Sequence, residues 1–290
     1  MIPVYRADPY LQMLETAAVS VAEESSDDFG PTQLIICREA LFAEGGGQPR
    51  DYGKVTAIGE TRDVLELVKH KGDIRVRIKP IEGLKKGMPV TCEIDFDRRL
   101  RIMKLHTAQH ALAACVREQL GSYVTGGMQI DEAARMCSMR FSSEQIVSPR
   151  DTGPHSSASP ATVCKTVATV CETVATPVVA SKRQNATAGD QLAPARERFA
   201  EIVREARTVR TEQLESIVDA PRLYPDIFRE SDPSVSIRGK VRMVIIDGLD
   251  ANACGGTHVR STGELGRLDT FHLASGAEPQ EYLLSFSLSS

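Results

Sequence analysis

The sequence predicts an α+β protein in two parts. Period-two alternation and turn residues dominate residues 1–96, the hydrophobic period becomes helical from Asp97, and strand character returns near Val241 and at the C-terminus. In the first part, residues 33–37 form a short apolar run, and residues 73–79 and 90–96 alternate apolar and polar side chains. Gly30, Pro31, the glycines at 45–47, Pro49, Gly53 and Gly59 supply turn punctuation. Such spacing predicts a small barrel or folded sheet. Beyond it, Leu100, Met103, Ala108, Leu112, Cys115, Val116 and Leu120 fall at helical spacing, with Asp97 as N-cap and Gly121 as stop. A second helix is predicted for about residues 195–217, where Phe199, Ile202, Val203, Ala206, Val209 and Leu214 share a stripe behind Pro194. Residues 241–247 and 282–286 read as strands. These elements divide the chain into a β-rich part at 1–96 and an α+β part at 97–290.

Residues 148–192 do not read as folded core. A seven-residue near-repeat carrying Cys164 and Cys171 sits among Ser, Thr and Pro, too short and too β-branched for a coiled coil, so the stretch is expected to be a low-complexity insertion.

Composition narrows the function. With 35 Lys and Arg against 39 Asp and Glu, the net charge of −4 excludes a bulk-basic nucleic-acid coat. Aromatic residues make up 5% with no Trp, which argues against extended base-stacking platforms. No apolar run approaches the roughly 20 residues of a membrane span, and the N-terminus lacks the pattern of a secretory leader, so the expected compartment is the cytoplasm. Seven cysteines, an odd number, then read as thiols or metal ligands.

In His106-Thr107-Ala108-Gln109-His110, two imidazoles stand one turn apart on one helix face, where they could share a metal. An isolated pair reads equally well as two unrelated histidines. Cys254-Gly255-Gly256-Thr257-His258 supplies a second pair in a glycine-bearing turn, and thiolate with imidazole suits a borderline-soft ion. Together they offer the four donors of a tetrahedral Zn2+ site, whereas His70, His155 and His272 read as surface or loop residues. The stretch 42–53 contains Glu44, Gly45, Gly46, Gly47 and Gln48; its glycines could expose backbone amides to a phosphate or an oxyanion, or simply form a hairpin loop. Arg98, Arg99, Arg101 and Lys104 precede His106, either as a solvated helix face or as contacts for a few phosphates.

These motifs, in this order, resemble the alanyl-tRNA editing proteins of the AlaX family, free-standing relatives of the alanyl-tRNA synthetase editing domain. The resemblance rests on the 42–53 stretch, on Asp97-Arg98-Arg99 leading to the 106–110 motif, and on the 254–258 motif with Ser261-Thr262-Gly263-Glu264 behind it. It implies a β-barrel-like N-terminal domain packed on an α+β editing domain of the threonyl/alanyl-tRNA synthetase type. It also implies zinc on His106, His110, Cys254 and His258, and hydrolysis in trans of Ser-tRNA(Ala), with Gly-tRNA(Ala) a second substrate. Thr107, Gln109, Glu44 and Gln48 are then candidates to place water or read the serine hydroxyl, or else pack beside the ligands. Gly45, Gly46, Gly47, Arg98, Arg99, Arg101 and Lys104 are candidates to bind the acceptor end of the tRNA. The competing reading is a noncatalytic tRNA- or protein-binding module with structural zinc.

Overall fold

The computed structural model describes residues 3–70, 73–121, 123–124, 128–133, 135–143, 191–228, 240–278 and 280–289. Apart from Gln191 and Leu192, the stretch 148–192 lies outside the described residues, and with it His155, Cys164 and Cys171.

The chain starts with a short helix α1 (Val4–Ala7) and strands β1 (Met13–Ala17), β2 (Ser20–Ser26), β3 (Gly30–Ile36), β4 (Gly53–Ala57), β5 (Glu60–Asp63), β6 (Glu66–His70), β7 (Asp73–Ile78) and β8 (Pro89–Ile94). They form two antiparallel sheets, β1-β8-β4-β5 and β2-β3-β7-β6, rather than one closed barrel. Alternation decides what each strand buries: Val55 on β4, Val76 and Ile78 on β7, Val90 and Cys92 on β8, and Ile35 on β3 join one apolar core. That shared core gives the barrel-like character expected from sequence without closure.

Helix α2 (Phe96–Leu120) follows. Its N-cap is Asp95, whose carboxylate accepts from the Arg98 amide at 3.1 Å, two residues before the predicted Asp97. Its stop is Gly121, left-handed at φ 58° as the sequence predicts. Of its 25 residues 17 are buried, so α2 is enclosed on nearly every side and not merely on one amphipathic face. What encloses it comes next: β9 (Tyr123–Val124), β10 (Gln129–Asp131), β11 (Met136–Ser142), α3 (Ala193–Glu205), β12 (Val209–Leu214), α4 (Ala220–Leu223), β13 (Val241–Ile246), β14 (Asp250–Ala253), β15 (Leu268–Ser275) and β16 (Glu281–Leu288). One sheet runs β10-β11-β16-β15 with β9 added on β11, and another runs β12-β13-β14. Apolar residues of α2, α3 and both sheets form one cluster from Ile102 to Phe286.

The second predicted helix is shorter than its stripe. α3 ends at Ala206, in the left-handed region at φ 49°, and residues 209–214 instead form β12, which pairs with β13 from Val209↔Ile246 to Leu214↔Val241. An apolar stripe suits either state here, and the open edge of β13 selects the strand.

The four cations ahead of His106 divide by position. Arg99 is fully buried in an ion pair with Asp51 and donates to the carbonyl of Ala40 at 2.8 Å, while Arg98 pairs with Glu132 and stacks over Tyr52 at 3.8 Å. Both lie inside the junction of α2 with the N-terminal sheets, with their guanidinium groups committed to protein partners. Arg101 is exposed and Lys104 half-buried.

Candidate metal centre

The two motifs meet because α2 and the loop after β14 pack face to face. The donor atoms of His106, His110, Cys254 and His258 lie within 4.8 Å of one another. Cys254 Sγ is 3.4 Å from His106 Nε2 and 3.3 Å from His258 Nε2. A tetrahedral zinc with bonds of about 2.0–2.3 Å separates its ligand atoms by roughly 3.5 Å, so the two Cys254 spacings fit such an ion.

Hydrogen bonds orient each imidazole in the cluster. His106 Nδ1 faces Gln48 Oε1 at 2.8 Å, His110 Nδ1 faces Asp250 Oδ2 at 3.0 Å, and His258 Nδ1 faces Thr107 Oγ1 at 3.1 Å. Gln48 Oε1 also accepts from the Thr257 amide at 3.1 Å, and Thr107 Oγ1 accepts from the Val259 amide at 3.2 Å. The Gln48 carbonyl oxygen and the Asp250 carboxylate are acceptors, which places the ring protons of His106 and His110 on Nδ1 and leaves their Nε2 atoms as lone-pair donors toward the cluster, while the Thr107 hydroxyl orients the His258 ring. Burial is the main cause that holds His106 and His258 below the ordinary histidine value, well below it for His258, against the opposing pull of Cys254. Burial opposes ionisation of Cys254, but the facing His106 and His258 outweigh it and lower its thiol well below the usual value.

The glycine-rich stretch serves this centre indirectly. Gly45 and Gln48 exchange amide-to-carbonyl bonds of 3.1 Å in both directions, with Gly46 and Gly47 at φ 60° and 78°. That is a tight hairpin turn of the I′ class, in which two amides close the turn instead of facing a ligand. Gly47 meets the main chain of Met128, where a β-carbon would fall 1.4 Å from its carbonyl oxygen, and the turn delivers Gln48 to His106. Gly256 closes over the same ring: a β-carbon there would lie 2.3 Å from His106 Cε1 and 2.5 Å from Gln48 Oε1. Gly256→Ala is therefore expected to displace His106 and weaken metal binding, with zinc as the probe, by about tenfold or more, as read by competition with a chromophoric chelator. Wild-type affinity in that variant would mean that the ring is not held where a ligand must be.

Of the four polar candidates, Gln48 and Thr107 stand beside the cluster and are bonded to ligand rings. Gln109 turns its amide to Met139 Sδ at 3.7 Å in the helix–sheet core, and Glu44 is exposed, its main-chain carbonyl accepting from Lys69. His70 and His272 are exposed, as read from sequence. Sequence reasoning missed Asp250, Thr257 and Arg242. Asp250 is a fully buried carboxylate on β14, and Arg242 donates to the carbonyls of Cys254 at 2.8 Å and Gly256 at 3.0 Å. A carboxylate at the start of a short strand next to the Cys254 motif was the one available signal for Asp250.

The Ser261-Thr262-Gly263-Glu264 segment is a capped 3-10 turn. Thr262 Oγ1 donates to the Ile202 carbonyl at 2.7 Å, and Glu264 accepts from the Tyr10 hydroxyl, which ties the loop both to α3 and to the N-terminal part.

Residues 241–273, which hold β13, β14, Cys254 and His258, match the family described as the threonyl and alanyl tRNA synthetase second additional domain. The chain is 29% identical to an alanyl-tRNA editing protein AlaX-M of Methanosarcina acetivorans over 90% of this chain and 89% of that protein. It is 27% identical to the one of Methanosarcina mazei over 90% of this chain and 86% of that protein. It also matches an alanine–tRNA ligase of Methanococcus vannielii, 28% identical over 86% of this chain but spanning 23% of the ligase. Fold, paired ligand motifs and these likenesses converge: the chain is a homologue of proteins named alanyl-tRNA editing protein AlaX-M, and it carries the tRNA synthetase second additional domain.

Proposed function

We propose that this chain is an aminoacyl-tRNA deacylase that edits in trans, hydrolysing the ester of Ser-tRNA(Ala), and of Gly-tRNA(Ala), at a zinc site. The observation that carries the reading is the set of three imidazoles, each held by a polar partner at Nδ1, converging with Cys254. Near full-length likeness to editing proteins, against a quarter of a ligase, supports action in trans and thus a place in the cytoplasm beside translation. Among the described residues, no helix is long and apolar enough to cross a membrane.

His106, His110, Cys254 and His258 would hold the zinc. When bound, zinc would supply Lewis acidity and orientation for an aminoacyl ester that is already activated. Gln48 and Asp250 hold the ring protons of His106 and His110 at Nδ1, Thr107 orients the His258 ring, and all three act as positioning residues. Arg242 fixes the carbonyls of the 254–256 loop. Arg101 and Lys104 are the cations of the α2 run that remain open to tRNA phosphates, which makes binding salt-sensitive in a chain of net charge −4.

Four protein donors would fill a tetrahedral ion, and that observation favours the alternative of a noncatalytic module with structural zinc. A deacylation panel separates the two. The zinc-loaded protein is expected to hydrolyse Ser-tRNA(Ala) and to spare Ala-tRNA(Ala) by about 100-fold or more, with Gly-tRNA(Ala) and Ser-tRNA(Thr) measured alongside. Turnover of none of them would establish the binding module, and turnover of Ser-tRNA(Thr) alone would move the specificity.

A further inference from the structure

Two arginines that belong to none of the motifs converge on the backbone of the metal loop. Arg6, on α1, packs on Gly255 so closely that a β-carbon there would lie 3.2 Å from its Nη2. Arg242, on β13, donates Nη1 to the carbonyls on either side of that glycine. Both side chains are half-buried, and Arg6 Nε is shielded from water without a hydrogen-bond partner. The nearby acids are committed elsewhere: Asp8 pairs with Arg260, Glu39 accepts from the Ile74 amide, and Asp250 faces His110 and Arg117.

Two guanidinium groups therefore meet on one loop in a region partly removed from water. Such a locus attracts a counter-anion, and the planar fork of a guanidinium matches the oxygens of a phosphate.

We propose that Arg6 and Arg242 form an anion site beside the His/Cys cluster and hold the phosphate attached to the 5′ carbon of the terminal adenosine that carries the ester. This inference rests on the deacylase reading. Among all phosphates of a tRNA, this one shares its ribose with the scissile bond, so a group reaching the cluster brings it alongside. The two arginines come from opposite ends of the chain, so the site exists only when the N-terminal helix is docked on the metal loop.

The test is equilibrium binding to the zinc-loaded full chain of 3′-serylamido-3′-deoxyadenosine, whose amide resists hydrolysis, with and without a 5′-phosphate. Wild type is expected to prefer the phosphorylated form by about tenfold or more. Arg6→Gln is expected to abolish most of that preference while binding the unphosphorylated form within about twofold of wild type, and Arg6→Lys to retain part of it. Arg6 is the position of choice because Arg242 also holds the loop. If wild type binds both forms equally, or Arg6→Gln weakens both equally, the anion site is overturned and the deacylase reading stands. If wild type binds neither form, both fall.

Discussion

Cys254→Ser is expected to leave the protein folded, largely empty of zinc, and slower in deacylating Ser-tRNA(Ala) by more than about 100-fold, the upper end of what losing a mere hydrogen-bond partner of a ligand costs. Cys254 is the one group in the cluster that can bring negative charge, and its sulfur faces the Nε2 atoms of both His106 and His258. A serine hydroxyl is nearly isosteric but is not ionised at neutral pH and is a poor partner for a borderline-soft ion. The fold should survive because the loop backbone is held independently, by Arg242 at two carbonyls and by Gln48 at the Thr257 amide. Metal content after gel filtration, circular dichroism and turnover are measured on one preparation. Full zinc occupancy in the variant would remove Cys254 from the ligand set, and wild-type turnover by metal-free variant would remove zinc from the reaction.

Arg99→Met is expected to destabilise the protein by about 3–5 kcal/mol, because it strands the Asp51 carboxylate in a site that is 1% exposed. Asp51 also accepts from the Phe42 amide at 2.6 Å, at the start of the stretch that carries Gln48 to His106. Adding Asp51→Asn to Arg99→Met should recover part of the loss, since the amide keeps an acceptor for Phe42 and removes the stranded charge. Urea unfolding of wild type, the single variant and the double variant reads this directly. Were Arg99 instead a tRNA contact, its loss would leave the unfolding midpoint unchanged and flatten the salt dependence of KM.

The tests separate what was legible from what was not. His106 with His110, and Cys254 with His258, were readable because each pair is local: one helix turn, or one glycine turn, fixes how the donors relate. The strand and helix order was readable from hydrophobic period for the same reason. The end of α3 was not, because residues 209–214 carry a pattern that suits helix or strand until β13 offers an edge. A run of cations ahead of His106 suits a solvated face or a phosphate contact, and burial and pairing with Glu132 and Asp51 make Arg98 and Arg99 the joint between the two parts.

The sequence by itself determined the α+β order of elements and the two short motifs that anticipate a metal. Only the tertiary structure decided the rest. It brings Gln48, Thr107 and Asp250 to the three Nδ1 atoms from positions 58, 151 and 140 residues from their partners, and it sets Arg6 and Arg242 on the same loop. Those contacts come from packing α2 between sheets and docking the N-terminal part on the metal loop. Hydrophobic periodicity specifies which face of an element is buried, but not which polar groups meet across the interface when it closes.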